Sequence, residues 1–484
     1  MNYIIGIDIG TTSTKAIAFN RSGEEYFKAS RDNNLVRDSD GRAEQDSQQL
    51  ISDILDVIRS ISRRLSPEDC IQAITFSCQM HSLIALDKSF HPLTASMTWA
   101  DGRARAQAKS LKLSAKGDLF FQKTGTPIHS MTWLNKIAYL QEKSNHFKEP
   151  ICHFMGIKEY LFYNLFGVNK IDLSSATGTG LVNISSEEWD EEILEFLGID
   201  VSFLPEIVST IDYQNGLPNL LKEVRGLTDN TLFIFGAGDG PMANLGVGAT
   251  DGNTAVVTVG TSSAIRIVTK KKVVDPRKRL FTYALLNNQW VVGGASNSGG
   301  NILEWLSNNL YSGEKIDKVL KDIASVPLGS NGLICYPYFG GERAPLWDEE
   351  RRGEFLNLNF NHSRKDMARA AIEGVFFNIK AILEDLESLA ESIETLYVTG
   401  GLFKTDFFLE LLADVTGKKV RKVNDSEVGC RAAYYLSLLA LENRGNLQAL
   451  GRNKSEEITI IPTQKNKLLY NTIYQNKFLP NLFR

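Results

Sequence analysis

One turn occurs twice in this chain. Residues 4–19 read IIGIDIGTTSTKAIAF, and residues 254–268 read TAVVTVGTSSAIRIV. Each is a β-branched run, then glycine with small hydroxyl residues, then a second β-rich run. Aligning Gly10-Thr11-Thr12-Ser13 with Gly260-Thr261-Ser262-Ser263 sets Asp8 opposite Thr258. A hairpin present in each half requires two similar folding units. Glycine and small hydroxyls allow a tight turn whose N–H and O–H donors can face an anion. Two such hairpins facing each other form a phosphate clamp. A carboxylate inside an apolar strand is costly unless paired, bonded or coordinated. A cation on those phosphates would satisfy Asp8; hydrogen bonds from nearby turn groups are the competing explanation.

The rest of the chain is compatible with two such units. Its 484 residues suit about two to three domains. With 43% apolar and 23% charged residues the composition is that of a globular enzyme, not a disordered or fibrous chain. A net charge of −4 leaves no footprint for nucleic acid. The run Lys270-Lys271-Lys272 with Arg277-Lys278-Arg279 reads as a solvated loop. Cys70, Cys78, Cys152, Cys335 and Cys430 are scattered and lack CxxC spacing, which argues against disulfides and zinc and suits a reducing cytosol. The chain enters a strand pattern at once, without a signal-type segment, and no apolar stretch reaches membrane-spanning length. A cytoplasmic protein without membrane partners is the expectation.

Periodicity predicts strands over 3–9, 14–20 and 24–30, then a helix over 46–65 opened by Asp46 with Gln49 in a capping-box arrangement. Strands follow at 71–77 and 83–86. The second half repeats the theme. It shows strands at 254–259, 262–268, 281–285 and 290–293, a helix at 300–310, a long helix at 365–388, a strand at 394–399 and a helix at 405–416. This is an α/β layer pattern with a cleft between two units. The boundary falls in the glycine-rich run after Gly236, giving domains 1–245 and 246–484.

A P-loop is absent. A dinucleotide fingerprint begins at Gly236-Ala-Gly238-Asp239-Gly240 but fails where its third glycine meets Pro241; a dehydrogenase reading rests on that fragment alone. Asp239, between two glycines after an apolar strand, suits a proton acceptor for an attacking hydroxyl. An Asx turn or helix cap explains it equally by spacing. Met80 and His81, with Trp99, Asp101 and Arg103, combine hydroxyl-binding groups with an apolar platform, as a polyol site needs. Val398-Thr399-Gly400-Gly401 ends a strand in paired glycines, where a flat base could lie or the chain could simply turn.

Taken in order, these motifs resemble the FGGY carbohydrate kinases. The resemblance runs from Gly6-Ile-Asp-Ile-Gly-Thr-Thr-Ser-Thr-Lys15 through Gln79-Met-His81, Trp99-x-Asp-x-Arg103, Gly238-Asp-Gly240 and Gly260-Thr-Ser262. It continues through Gly341-Glu-Arg-Ala-Pro-Leu-Trp347, Ala371-Ile-Glu-Gly374 and Gly400-Gly401. It implies two RNase H-like domains of the actin/hexokinase/Hsp70 ATPase type with an inter-domain cleft, and ATP and Mg²⁺ as cofactors. By the same resemblance Asp239 is the general base, and Asp8 holds Mg²⁺ mostly through water. Thr11, Thr12, Ser13, Thr14 and Lys15, with Gly260 and Thr261 opposite, border the phosphates. Gly300, Gly400 and Gly401 lie against adenosine. Met80, His81, Trp99, Asp101 and Arg103 face the sugar. Asn357 stands where glycine is frequent in that family.

Segments such as Met80-His-Ser-Leu-Ile-Ala-Leu-Asp87 and Gly156-Ile-Lys-Glu-Tyr160 are similar to those of gluconate kinases. The expected reaction is therefore D-gluconate to 6-phospho-D-gluconate. Arg103, Lys158 or a protonated His81 would meet the substrate carboxylate. A xylulose or other polyol kinase is the alternative within the class. A non-catalytic ATP-binding scaffold is the alternative outside it. A small-molecule sugar or sugar acid is the expected partner, with a homodimer possible among relatives of this kind.

Overall fold

A computed structural model describes residues 1–286, 288–390, 392–423, 427–442 and 458–484. The repeated hairpins are the centres of two mixed sheets. In the first, Asn2–Ile9 runs antiparallel to Ser13–Phe19 and parallel to Cys70–Cys78. Glu25–Asp32 extends the hairpin side, and Leu232–Gly238 lies beyond Cys70–Cys78. The second sheet repeats this order. Thr254–Val259 runs antiparallel to Ser263–Thr269 and parallel to Thr395–Thr399, with Gln289–Ser296 and Lys419–Lys422 outside them. Three antiparallel strands followed by two parallel ones, in both halves, make two RNase H-like cores.

The central strands are covered on both faces, so they read as continuous apolar runs. Ile4, Ile5, Ile7 and Ile9 are fully buried, as are Val256, Val257 and Val259. The helix Ser47–Ser62 presents Leu50, Ile54, Val57, Ile58 and Ile61 to the first sheet at helical spacing. Its Asp46 cap accepts from the Gln48 and Gln49 backbone N–H groups. The expected reciprocal bond is not made: Gln49 Nε2 donates instead to Asp53. Ser363 and Asp366 form a full box before Arg364–Glu387.

Two helices change partners. Asp239–Gly246 follows the last parallel strand of the first sheet, yet it packs chiefly on the helix Val428–Leu441 and reaches strands of the second sheet as well as the first. Val428–Leu441 follows Lys419–Lys422 of the second sheet and packs on Asn2–Ile9 and Cys70–Cys78 of the first. The approach is close. A Cβ on Gly6 would lie 2.1 Å from the Cys430 carbonyl oxygen, and one on Gly246 2.2 Å from that of Val428. Ser437 and Thr75 hydroxyls meet at 2.6 Å, and the Tyr434 ring lies 4.9 Å from Phe19. A third apolar core around Trp133, Leu134 and Ile137 lies in the segment between 83 and 204. Among the described residues no helix is long and apolar enough to cross a membrane.

Candidate active site

Strand residues from both hairpins and the starts of both exchanged helices meet at one cleft of about 740 Å³, while Thr261 and Ser262 of the second turn line a separate, smaller cavity. Asp8, Lys15, Asp239, Thr258, Arg266, Gly400 and Gly401 line it, so both halves contribute. Asp239 is the first residue of its helix, directly after the strand Leu232–Gly238. That strand ends tightly against its neighbour: Gly236 has φ +71°, and a Cβ there would lie 1.7 Å from the Phe76 carbonyl oxygen. The Asp239 Oδ1 accepts from the Gly240 N–H at 2.8 Å. Surrounding protein pushes its carboxyl above the usual range, and Arg266 opposes this. The side chain itself is exposed to the cleft, so water weakens the burial effect.

Asp8 sits at the cleft floor. Ser77 Oγ donates to its Oδ1 at 2.7 Å. Burial, with Asp239 adding like charge, pushes it up to about 6 against the lowering effects of Ser77 and Lys15. Gly429, at the start of the exchanged helix, makes room for it: a Cβ there would come within 2.5 Å of the Asp8 Cγ. The hydrogen-bonding explanation therefore accounts for one oxygen and leaves much of the charge uncompensated.

The turns are closed differently: Gly10 N–H donates to the Ser13 carbonyl at 3.0 Å, whereas Gly260 N–H donates one matched position earlier, to the Ser262 carbonyl at 2.9 Å. Thr12 and Thr261 are exposed, and a Cβ on Gly260 would meet nothing within 4 Å. Thr14, by contrast, is buried and donates to Asn33 Oδ1 at 3.1 Å, while Asn33 Nδ2 donates to the Gly10 carbonyl at 2.7 Å. It braces the turn from behind. Lys15 reaches the cleft and pairs with Glu427 at 2.9 Å. Gly400, at φ +104°, lies under the Val259 carbonyl, whereas Gly401 opens onto free space. Gly300 does not line the cleft. Its N–H donates to Gly260 O at 2.7 Å, and it lies behind the second turn.

A smaller cavity of about 220 Å³ adjoins, lined by Trp99, Thr261, Asn297 and Arg343 among others. Trp99 Nε1 donates to Thr11 Oγ1 at 2.9 Å, Thr11 Oγ1 to Gln79 Oε1 at 2.9 Å, and Gln79 Nε2 to Gln45 Oε1 at 2.7 Å. Gln45 Nε2 returns to the Thr11 carbonyl at 2.9 Å. This ring fixes the indole, on whose face the Arg343 guanidinium lies 4.8 Å away. Met80 and His81 enter between the halves, and His81 (φ +68°) sets its ring 6.0 Å from that of Tyr283. Lys136 holds the His81, Met97 and Thr98 carbonyls at 2.6, 3.1 and 2.8 Å, tying the segments that carry His81 and Trp99 together.

The three cations expected to meet a carboxylate are all engaged or neutral. Arg103 donates to Asp101, at 2.6 Å from Nη2, and to Glu44 at 2.7 Å. Asp101 is fully buried and also accepts from the Ala43 N–H at 3.0 Å. This network shapes the backbone beneath Trp99. Lys158 is buried in an ion pair with Asp172, which with Glu159 holds its charge against burial. Burial, then Lys136 and Arg343, pushes His81 down to about 3, so the imidazole is neutral.

Three groups that the sequence reading passed over lie near these sites: Arg266 lines the cleft, Arg343 lines the smaller cavity, and Tyr283 is buried close to both, within reach of their charges. Burial lowers Arg343 to about 10, still charged at neutral pH. It donates to Asn297 Oδ1 at 2.8 Å and to the Ser296 carbonyl at 2.9 Å. Arg266 had a visible signal. It is a charge inside the apolar run of the second hairpin, the anomaly that marks Asp8 in the first.

Comparison with known proteins agrees with this geometry. The model of the FGGY family of carbohydrate kinases, N-terminal domain, matches residues 3–246, and that of its C-terminal domain matches 255–440. The gluconokinase of Bacillus subtilis (strain 168) is 36% identical over 451 residues, covering 91% of this chain and 88% of its own. The xylulose kinase of Staphylococcus xylosus is 30% identical over 417 residues, covering 86% of each. Among solved structures, a gluconate kinase from Lactobacillus acidophilus superposes with a TM-score of 0.93 at 31% identity, covering 98% of this chain and 96% of that one. A ligand-bound xylulose kinase from the same organism gives 0.93 at 32% over the same shares. With two RNase H-like halves, a cleft bearing Asp8 and Asp239, and matches along nearly its whole length, the chain belongs to the FGGY family of carbohydrate kinases.

Proposed function

We propose that the protein transfers the γ-phosphate of ATP to the C6 hydroxyl of D-gluconate. The observation that carries this is Asp239, open to a cleft it shares with Asp8 and Lys15, in a chain 36% identical to a gluconokinase. Asp239 orients the attacking hydroxyl and accepts its proton as the phosphoryl group leaves ATP. The loose transition state places most of the demand on positioning and charge neutralisation. Thr12, Ser13, Gly260 and Thr261 bring turn donors to the phosphates from opposite sides, and Lys15 adds charge. Gly401 leaves backbone open for the nucleotide's flat base. Met80, His81 and Trp99 form the sugar wall.

Asp8 fits a Mg²⁺ ion on the nucleotide, since its carboxylate is buried, partly unpaired and aimed into the cleft. Among the described residues no group of three acidic, His or Cys side chains gathers there, so water and phosphate would complete the coordination. Bound there, Mg²⁺ would neutralise phosphate charge as it moves to the leaving group.

A second reading, a xylulose kinase, is favoured by the closed Arg103–Asp101–Glu44 network, which offers no cation to an acid. Release of ADP measured against D-gluconate, D-xylulose, L-ribulose, glycerol and no sugar separates the readings. Turnover led by D-gluconate is the expected result. Turnover led by D-xylulose would select the alternative.

A further inference from the structure

Among the cations around the cleft, Arg266 differs in having almost nothing to hold. Its Nη1 reaches Thr258 Oγ1 only at 3.5 Å, and its Nε is buried with no hydrogen-bond partner among the described residues. A buried guanidinium without partners is expensive. The fold nevertheless makes room for it on two sides. Gly293 pairs with Arg266 across the strands, and a Cβ on Gly293 would lie 2.8 Å from the Arg266 Cγ. A Cβ on Gly240, next to Asp239, would lie 3.4 Å from the Arg266 Nε. The stem therefore crosses one glycine and the head reaches another, beside the proposed base.

Tyr283 has the same character. Its ring stacks on Phe281 at 4.3 Å, and its hydroxyl is buried without a partner among the described residues. Arg266, Arg343, Tyr283 and Asp239 all feel one another's charge. Arg343 is largely committed to Asn297, Ser296 and Trp99. Arg103 and Lys158 are committed to acids, and His81 is neutral.

We infer that Arg266, assisted by the Tyr283 hydroxyl, is the group that recognises the substrate's carboxylate and so selects a sugar acid over a neutral polyol. The inference rests on the gluconate reading above and names the side chains behind it. A planar guanidinium offers a carboxylate two parallel N–H donors, and a phenol adds a third. The competing role for Arg266, steadying Asp239 or the transferring phosphate, would affect every acceptor alike.

The experiment compares Kd values for D-gluconate and D-glucitol, its neutral six-carbon counterpart, by calorimetry, together with kcat/KM for D-gluconate at saturating Mg-ATP. Wild type, Arg266→Met, Arg266→Lys and Tyr283→Phe are measured. The Arg266→Met change should cut the preference for D-gluconate over D-glucitol on the order of 10- to 100-fold, the range of a charge-assisted hydrogen bond, with KM rising more than kcat falls. The Arg266→Lys change should restore part of that preference. Tyr283→Phe removes a hydroxyl with no partner among the described residues, so it should fold normally and lose a smaller part of the preference. An unchanged preference in both Arg266→Met and Tyr283→Phe, or a parallel loss for both ligands, would overturn the inference and leave the gluconate reading standing. A wild-type protein that binds D-glucitol as well as D-gluconate would overturn both.

Discussion

Asp8 and Asp239 face one cleft, and burial raises both carboxyls. For Asp8 the consequence for stability has a definite sign. A folded-state value near 6 against an ordinary 3.8 means that the folded protein binds this proton more tightly than the unfolded chain. Its contribution is present at acid pH and lost as pH rises through about 6. Asp8→Asn keeps an oxygen for Ser77 and removes the charge. It should raise stability by about 1–3 kcal/mol at pH 7.5 and by little at pH 4, an order-of-magnitude range allowing for partial solvent access. Thermal unfolding at the two pH values checks this. The same variant should lose most activity, and the wild-type rate should climb as pH passes through about 6 and Asp8 ionises. Asp239→Asn should lower kcat by roughly 10²–10⁴-fold with little change in sugar Kd; steady-state kinetics with calorimetry separates the two. Both acids were legible in the sequence because a lone carboxylate at the end of an apolar strand contradicts its surroundings. That Arg103 and Lys158 are already paired was not legible, for the reverse reason. A basic residue's partners, here Asp101, Glu44 and Asp172, lie elsewhere in the chain and cannot be read from spacing.

The hairpins, the Ser47–Ser62 helix and the Arg364–Glu387 helix emerged close to their predicted bounds, because strand alternation and helical spacing are local signals. Val428–Leu441 was missed. It is apolar on most sides, as a helix buried between two layers must be, so it shows no polar stripe to mark its period. Asn357, at φ +65°, shows why glycine is frequent at that position: the backbone is left-handed there, a conformation Asn tolerates. Gly400 tolerates less. Its φ of +104° and the 2.3 Å approach of a Cβ to the Val259 carbonyl oxygen leave no room for alanine. Gly400→Ala should destabilise by about 2–4 kcal/mol, read as a lower urea midpoint, and it should weaken nucleotide binding. Gly401→Ala, which points into open space, should leave the midpoint near wild type.

Across the whole molecule, the boundary near 245 divides the sequence more cleanly than it divides the packing. The strand holding Gly6 is covered by Val428–Leu441, which arrives from the far end of the chain. A fragment of residues 1–245 would expose that face along with Phe19 and Thr75, the partners of Tyr434 and Ser437. It should show no cooperative thermal transition alone and should regain one when coexpressed with 246–484. A fragment melting cooperatively at the full chain's midpoint would refute this.

The traded helices also bear on how the site can have a direction. Two copies of one unit that exchange equivalent segments have the geometry of a swapped dimer, and the point where their hairpins meet lies on the relation between them. A site with true twofold character would treat its two sides alike, with no donor side and no acceptor side. Phosphoryl transfer needs those sides to differ. The chain supplies the difference by letting its copies diverge at matched positions, with Asp8 in one hairpin and Thr258 in the other, and Arg266 in the second hairpin where the first carries Ala16. Handedness of function in this molecule is thus a matter of broken symmetry, held in a few side chains on a backbone that still repeats itself.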